Sequence, residues 1–403
     1  MSRRHLFIWL TCAIATILLV GAFNFIVDPY GIFRSVVVKG FNQNKEGARN
    51  KIRFVKALEL PLRKPATLIM GSSRVWKAMD PGLPLLQEFT PVYNLGVDLS
   101  RIHEILVLLR HATANSDVKR VVLGLDFFMF NSLQKVNFDF DETLTGRKVN
   151  VVDYFVPAIF SDAAVIDSLK VIRFSIPDPA LETFLANGYR PQELHILHPR
   201  APINYENLHY YTNWIFLTPK PQLQNTFYYG KMALDDDVFN DFEAILSLCA
   251  LQHIDLRLYI SPAHAHLEGE GIWALGKWRE LENWKRRITN ISDRYKVPLI
   301  DFSGYNSVTT EPVRSPMKFY SDSSHFTEMV SNWILQRIFS ADASVPVDFG
   351  VQLTSENIDG HLDMIRNDRE KYVNSNKREV QKLLVDYDAI IGGAPLDMNR
   401  MKF

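Results

Sequence analysis

The chain has 403 residues, of which 47% are hydrophobic and 22% are charged, a balance typical of globular proteins that excludes a largely disordered chain. Lys and Arg together number 45, as do Asp and Glu, so no global charge favours a polyanionic partner. No basic run interleaved with aromatic residues stands out either, and we expect no nucleic-acid partner.

The first predicted element is an apolar segment near the N-terminus. Residues 6–27, LFIWLTCAIATILLVGAFNFIV, contain no charged side chain, and about 20 apolar residues suffice for a helix to cross a bilayer. Arg3 and Arg4 precede this segment and Asp28 follows it, so the positive-inside rule places the N-terminus in the cytoplasm and the rest of the chain on the extracytoplasmic side. The alternative is a signal peptide cleaved at VGA, residues 20–22. Because the apolar run continues past that point, we favour an uncleaved single-pass anchor.

Five short runs further along the chain predict the strands of a sheet. Each is nearly continuous in apolar residues, as expected for parallel strands covered on both faces. The five runs are 66–73, 91–98, 118–128, 254–262 and 297–304. The amphipathic segments that predict helices between them are 100–116, 236–252 and 273–296. This alternation predicts an α/β protein with a doubly wound, mostly parallel, five-stranded sheet.

The domain organisation follows from the spacing of these elements. The gap between the third and fourth runs is too long for one helix, so residues 132–235, rich in aromatic residues and proline, predict a large insertion that forms one wall of a cleft. Residues 341–403 are charged and amphipathic, which predicts a helical tail packed on the outside of the sheet. We therefore expect an anchor over 1–30, an α/β domain over 31–340 that contains the insertion, and this tail.

Polar residues that could do chemistry follow the first strand and the last. Ligands of open α/β sheets bind at the carboxyl ends of the strands, and there the first run ends in Gly71-Ser72-Ser73. Downstream, Asp322 and His325 are three apart at the predicted start of a helix, which would place them on one face. Gly-Ser-Ser alone is more often a helix cap, and Asp-x-x-His alone could be a cap beside a surface histidine. Their joint occurrence supplies a nucleophile, a base and an orienting carboxylate.

The segment SPAHAH at 261–266 offers a second kind of site. His264 and His266 are two residues apart, a spacing that suits metal ligation on an extended chain. Together with Asp126 they could form the metal site of a metal-dependent hydrolase. The chain contains only two cysteines, no CxxC motif, and no further cluster near these histidines that would complete a site. We therefore expect no metal or other cofactor, and we interpret His264 as a polar residue that lines the cleft.

The Gly-Ser-Ser and Asp-x-x-His blocks resemble those of the SGNH (GDSL-like) hydrolase superfamily over roughly residues 64–340. The resemblance implies a triad of Ser73, His325 and Asp322, and a backbone N–H of Gly96, in NLGVD, that helps to form an oxyanion hole. The Gly-Ser-Ser variant with a membrane anchor is similar to a narrower group, which includes the alginate O-acetylation factors and the teichoic acid D-alanyl transfer protein. That likeness implies an envelope-facing serine esterase or O-acyltransferase for acyl esters of a cell-surface or exported polysaccharide, with a membrane-bound O-acyltransferase as its partner.

One position departs from the SGNH pattern. The third block usually reads Gly-x-Asn, and its asparagine donates to the oxyanion, whereas GLD at 124–126 ends in an aspartate that can only accept when ionised. A carboxylate beside a developing negative charge would oppose acyl transfer. Either Asp126 is protonated or binds another group, or Asn94, Asn131 or Arg74 donates in its place. A catalytically inactive SGNH-like module that binds glycan or the membrane partner therefore remains the alternative function.

Overall fold

A computed structural model describes residues 2–45, 48, 50–137, 139, 140, 142, 151–176, 187–190, 229, 232–313, 317–340 and 344–391. Its centre is a six-stranded sheet with the strand order β2-β1-β3-β4-β5-β6. The strands are β1 (Thr67–Met70), β2 (Val92–Asn94), β3 (Arg120–Leu125), β4 (Asp255–Ile260), β5 (Leu299–Asp301) and β6 (Val351–Leu353). The pairings among β1 to β5 are all parallel, and β6 pairs antiparallel with β5. The α/β class and the mostly parallel sheet are confirmed, and each of the five predicted runs contains its strand.

The sixth strand corrects the prediction of a five-stranded sheet. It lies in the region that we expected to be a helical tail, and it places Leu353 opposite Leu299 of β5. Unlike the five predicted strands, it does not lie in a continuous apolar run, because Gln352 interrupts the sequence VQL. Its formation depends on hydrogen bonds to β5, which no local pattern can reveal.

Twelve α-helices are present among the residues that the structure describes. They are α1 (Arg3–Val27), α2 (Ile52–Arg63), α3 (Ser73–Ala78), α4 (Ile102–Asn115), α5 (Val151–Phe160), α6 (Asp162–Ser175), α7 (Asp236–Leu251), α8 (Glu270–Ala274), α9 (Trp278–Arg294), α10 (Glu328–Ile338), α11 (Ile358–Ser375) and α12 (Lys377–Ile391). The three helices predicted between the strands correspond to α4, α7 and, with a shorter helix before it, α9.

Both faces of the sheet pack against helices. Leu68 and Met70 of β1 belong to one hydrophobic cluster, which includes residues of α2, α4, α7, α9 and α11. Ile69, between them, belongs to a second cluster with residues of α3 and α10. Successive side chains of a strand point to opposite faces, so covering both faces requires apolar residues at every position. This arrangement explains the continuous apolar runs in the sequence.

The strand order places one crevice at the carboxyl end of the sheet. The chain runs from β1 outward to β2 and then returns to the other side of β1 to form β3. Where connections diverge in this way, the crevice outside the strand ends is the usual ligand site of open α/β sheets. Ser73 follows β1 and Asp126 follows β3, so both residues lie at this crevice.

The N-terminal helix α1 has 25 residues, a mean hydropathy of 2.4, and only 6% of its most apolar window buried. A helix of this length and composition can cross a membrane, and a signal sequence has the same features. Most of the insertion predicted at 132–235 lies outside the described residues, as do residues 392–403 of the predicted tail. Of the described part, residues 187–190 pack beside the crevice, where the Asn187 carbonyl accepts a hydrogen bond from Asn94 N at 2.8 Å.

The environment of His266 predicts that acid destabilises the fold. His266 lies in a π-helical turn, Ala265–Gly269, and its ring centroid is 6.0 Å from that of Tyr372 on α11. Burial lowers the pKa of His266 to about 4, although Glu379 opposes this shift. Since the ordinary value is about 6.5, the unfolded chain takes up this proton first as the pH falls. The contribution of neutral His266 to the unfolding free energy is therefore complete above about pH 6.5. It is lost as the pH falls from 6.5 through 4, and the total loss is about 3 kcal/mol.

We therefore expect His266→Gln to reduce the fall in unfolding free energy between pH 7.5 and pH 4. Urea denaturation at several pH values measures this slope. His253→Asn, which replaces an exposed histidine, is the matched control and should keep the wild-type slope. Equal slopes in wild type and His266→Gln would contradict the prediction.

Candidate active site

The turn from β1 into α3 presents Ser73. Gly71 has a φ of +148°, which side chains rarely allow, and a Cβ there would lie 2.6 Å from Val75 Cγ2. Ser72 Oγ accepts a hydrogen bond from the Arg74 backbone N–H at 3.3 Å and so caps α3. Ser73 therefore occupies the first position of α3, at the carboxyl end of β1, with 8% of its surface exposed.

A histidine and an aspartate from the far end of the chain approach this serine. His325 Nε2 lies 2.8 Å from Ser73 Oγ, and His325 Nδ1 lies 2.6 Å from Asp322 Oδ2. Hydroxyl, imidazole and carboxylate thus stand in hydrogen-bond order, which is the arrangement found in Ser-His-Asp triads. The structure brings together the three residues that the sequence singled out.

The charge state of Asp322 fixes the histidine tautomer. Burial raises the pKa of Asp322, but His325, Lys77 and the Ser324 backbone N–H together lower it well below its ordinary value. An ionised carboxylate can only accept hydrogen bonds, so the proton of the Asp322–His325 contact is on His325 Nδ1. The Nε2 atom is left to accept the Ser73 hydroxyl proton, as a general base must.

The prediction that Asp322 and His325 share one face of a helix is wrong. The helix begins only at Glu328, and residues 321–325 form a tight turn. Asp322 Oδ1 accepts the backbone N–H groups of Ser324 and His325, each at 2.8 Å. Asp side chains compete in this way with helical hydrogen bonds, and the result is a side-chain-closed turn. The spacing of three therefore brings the two residues together through a turn.

The structure also contradicts the predicted oxyanion roles of Gly96 and Asn94. The Gly96 N–H donates to Asn94 Oδ1 at 3.0 Å, and a Cβ on Gly96 would lie 2.7 Å from Trp76 N. Asn94 Nδ2 donates to the carbonyls of Val75 and Met79 at 3.0 and 2.8 Å. These groups hold the end of β2 against α3, and their donors are already used within the fold.

Asp126 and Arg74, which sequence analysis considered as alternative oxyanion partners, form a buried ion pair. Arg74 Nη1 donates to Asp126 Oδ1 at 2.7 Å, and Ser72 Oγ donates to Asp126 Oδ2 at 2.5 Å. Arg74 Nη2 also pairs with Glu268, and Arg74 Nε donates to Ser324 Oγ at 3.1 Å. Burial alone would lower the pKa of Arg74, but Asp126 and Glu268 raise it well above its ordinary value. Arg74 stays cationic, and each of its three guanidinium nitrogens already donates to Asp126, Glu268 or Ser324.

This arrangement answers how an aspartate can occupy position 126. Its charge is compensated by Arg74, only 2% of whose surface is exposed. Through Ser324, the same guanidinium contacts the turn that carries Asp322 and His325. Arg74 thus connects the helix that carries Ser73 to the turn that carries His325.

Three residues of this cluster were missed from the sequence. The Tyr229 hydroxyl donates to Glu268 Oε1, and its ring stacks on Phe127 with centroids 5.6 Å apart. Neither Tyr229 nor Glu268 belongs to a motif, and only folding brings them to Arg74. Ser324 lies inside the Asp-x-x-His block and could have been found there.

His264 and Asn131 do not take part in the site as predicted. His264 is fully buried, with Nε2 2.8 Å from the Glu311 carbonyl and its ring centroid 4.8 Å from that of Tyr320. It therefore belongs to the packed interior and does not line the crevice. Asn131 Oδ1 accepts two backbone N–H groups, each at 3.2 Å, in the chain that follows β3. Within the described ranges, no three His, Cys, Asp or Glu side chains are grouped as metal ligands, which gives the metal-dependent alternative no support.

The Ser73 backbone N–H is a hydrogen-bond donor next to the Ser73 hydroxyl. At the first position of α3 it has no intrahelical acceptor, as for the first N–H groups of any α-helix. In the part of the chain that the structure describes, the Ser73 N–H donates to no backbone or side-chain acceptor. An ester carbonyl attacked by Ser73 Oγ would develop its negative charge next to this N–H group.

Comparisons with known proteins do not identify a family. No protein-family profile and no curated protein matches the chain. One similar solved structure is a protein from Streptococcus pneumonia whose description names a platelet activating factor. It shares 11% sequence identity over 73% of this chain and 92% of its own, with a TM-score of 0.33. Likeness at this level does not establish a common fold.

Proposed function

We propose that this protein is an envelope-facing serine esterase or O-acyltransferase of the SGNH type, acting on acyl esters of a cell-surface or exported polysaccharide. The observation that carries the proposal is the hydrogen-bonded chain from Ser73 Oγ through His325 to Asp322. It lies at the crevice where open α/β sheets bind ligands. The order of the first five strands, 2-1-3-4-5, is that of flavodoxin-like sheets and supports the SGNH-type fold.

The reaction follows from this geometry. Ser73 Oγ forms a bond to the ester carbonyl carbon while its proton passes to His325 Nε2, and Asp322 stabilises the imidazolium. The tetrahedral oxyanion accepts a hydrogen bond from the Ser73 N–H. When the carbon–oxygen bond of the ester breaks, His325 returns the proton to the leaving alkoxide, which gives an alcohol and an acyl-serine. Water or a glycan hydroxyl then attacks the acyl carbon while His325 removes its proton as a general base. The bond from the acyl carbon to Ser73 Oγ breaks, and His325 returns the proton to Ser73, which gives a carboxylic acid or a new ester and restores the enzyme.

The cellular setting is part of the proposal. The helix α1 would anchor the protein with its N-terminus in the cytoplasm and its catalytic domain outside, where exported polysaccharides are found. A membrane-bound O-acyltransferase would supply or accept acyl groups as the partner. Support for the alternative, an inactive glycan-binding module, came from the charge at Asp126, and its ion pair with Arg74 removes that objection to catalysis.

Active-site labelling tests the proposal directly. The full chain, purified in detergent, should react with a fluorophosphonate probe, and digestion followed by mass spectrometry should locate the label at Ser73. Heat-denatured protein is the control, because labelling requires the assembled triad. The folded protein should also release acetate from p-nitrophenyl acetate. Absence of both the label and ester cleavage would favour the inactive binding module.

Asp322→Asn tests the role of the carboxylate. An asparagine can keep the turn but cannot hold the His325 tautomer or stabilise the imidazolium, so we expect kcat for p-nitrophenyl acetate to fall about 10⁴-fold. Circular dichroism should show an unchanged fold. Asp117→Asn, at an exposed position, serves as the control and should keep full activity. A fall in kcat of less than about tenfold would be incompatible with the triad.

A further inference from the structure

The helices α5 and α6 pack directly on the last turns of α1. A Cβ on Gly21 of α1 would lie 2.4 Å from the Phe160 ring, so the two helices touch where glycine removes the side chain. Asn24 of α1 is fully buried; its Nδ2 donates to the Ile159 carbonyl at 2.7 Å and its Oδ1 accepts from Ser168 Oγ at 2.8 Å. Polar hydrogen bonds and close packing therefore fix α5 and α6 to this end of α1.

The outer side of the two helices is apolar and exposed. On α5, Val152 and Val156 are four residues apart, so they share one face, and each is more than 40% exposed. On α6, Ile166 and Leu169 are 53% and 56% exposed. The opposite side carries the polar contacts of α6. There Asp167 accepts hydrogen bonds from Tyr30 and Lys170 and forms an ion pair with Lys51. The pair is thus amphipathic, and its apolar side faces away from the domain.

A loop that follows α1 in the chain adds to this surface. Residues 36–38 are three consecutive exposed valines, of which Val36 is 82% exposed. Asn42 Nδ2 holds the loop by donating to the carbonyls of Ile26 and Val36 at 3.1 and 3.0 Å. We use the term collar for the exposed apolar residues of α5, α6 and this loop, because all three elements are bonded to the same end of α1.

The length of α1 gives the depth of the collar. Its 25 residues extend about 37 Å, which exceeds a hydrocarbon core of about 30 Å by only a few residues at each end. Gly21 lies six residues, or about 9 Å, from the end of the helix at Val27. Elements bonded to Gly21 and Asn24 therefore lie at the boundary of hydrocarbon and headgroups, where an amphipathic helix buries its apolar side about 5–10 Å deep.

From this geometry we infer that the collar is a membrane-binding surface, which lies in the outer interface of the bilayer and holds the catalytic domain against the membrane. The occupant of the apolar side is lipid, because the side is continuous with a helix that lipid would surround. The exposed Arg173 of α6 suits this position, since a long cationic side chain at the edge of an apolar surface reaches the headgroups. The inference depends on the proposed membrane anchor and is independent of the chemistry at Ser73.

Depth-dependent fluorescence quenching tests the inference on the full chain. Single-cysteine variants with Ile166→Cys or Leu169→Cys, in a background that lacks Cys12 and Cys249, carry an environment-sensitive fluorophore and are reconstituted in phosphatidylcholine vesicles with brominated lipids. Leu251→Cys, at an exposed leucine at the end of α7, is the matched control for a surface outside the membrane. We expect labels at 166 and 169 to be quenched at about 5–10 Å depth and the label at 251 to remain unquenched.

A label on the native Cys12, which is exposed near the middle of α1, tests the membrane anchor separately from the collar. If the label on Cys12 is quenched but the labels at 166 and 169 are no more quenched than the label at 251, the collar is overturned and the anchor stands. It would mean that the apolar side awaits a partner protein, since the vesicles contain only lipid. An unquenched Cys12 would overturn the anchor and the collar together, and would leave fluorophosphonate labelling of Ser73 as a separate question.

Discussion

Ser73→Ala is expected to lower kcat/KM for p-nitrophenyl acetate by about 10⁵-fold or more and to abolish fluorophosphonate labelling. The substitution removes the atom that would form the acyl-enzyme under the proposed mechanism, while the Ser73 backbone N–H and the crevice remain. It should leave stability almost unchanged, because Ser73 contributes no cap to α3. Steady-state kinetics and mass spectrometry of the labelled protein measure both effects.

The neighbouring serine provides the matched control. Ser72→Ala removes the cap of α3 and one donor to Asp126, which should cost about 1 kcal/mol of unfolding free energy. It leaves the contact between Ser73 and His325 intact, so the label and most of the activity should persist. If Ser72→Ala lost the label and Ser73→Ala kept it, the assignment of the nucleophile would be wrong.

The sequence was sufficient to predict the parts of this molecule that depend on local pattern. Continuous apolar runs predicted the five parallel strands, because strands buried on both faces need apolar side chains at every position. Two short blocks predicted Ser73, Asp322 and His325, since the carboxyl ends of parallel strands meet at one edge of the sheet. The strand at Val351–Leu353 escaped prediction because it forms only through its pairing with β5.

The wrong predictions at the site share a physical cause. The roles given to Gly96 and Asn94 depend on where an N–H group points, and this is set by contacts with α3 that no spacing encodes. For Asp126 the sequence left three explanations open, and the structure shows that it binds another group. That partner, Arg74, is 52 residues away in the chain, and Glu268 is 194 residues from Arg74. Pairings over such separations are fixed by the packed fold alone.

Arg74→Met is expected to lower the unfolding free energy by about 3–5 kcal/mol. The methionine fills a similar volume but leaves Asp126 and Glu268 as buried carboxylates without their cation, and uncompensated buried charge is costly. Urea denaturation in detergent measures the loss. Arg294→Met is the matched control, because the Arg294 side chain is 61% exposed and its pair with Glu243 should contribute less than about 1 kcal/mol.

A rescue variant distinguishes lost charge compensation from lost packing. In Arg74→Met combined with Asp126→Asn and Glu268→Gln, none of these three positions carries a charge, so much of the stability should return. Activity should recover less than stability, because the contact from Arg74 to Ser324 on the turn of His325 is still absent. If the triple variant is no more stable than Arg74→Met, the cluster stabilises the fold through shape, and Asp126 is held by something other than the charge of Arg74. If stability and activity return together, Arg74 compensates the charge of Asp126 without positioning the base.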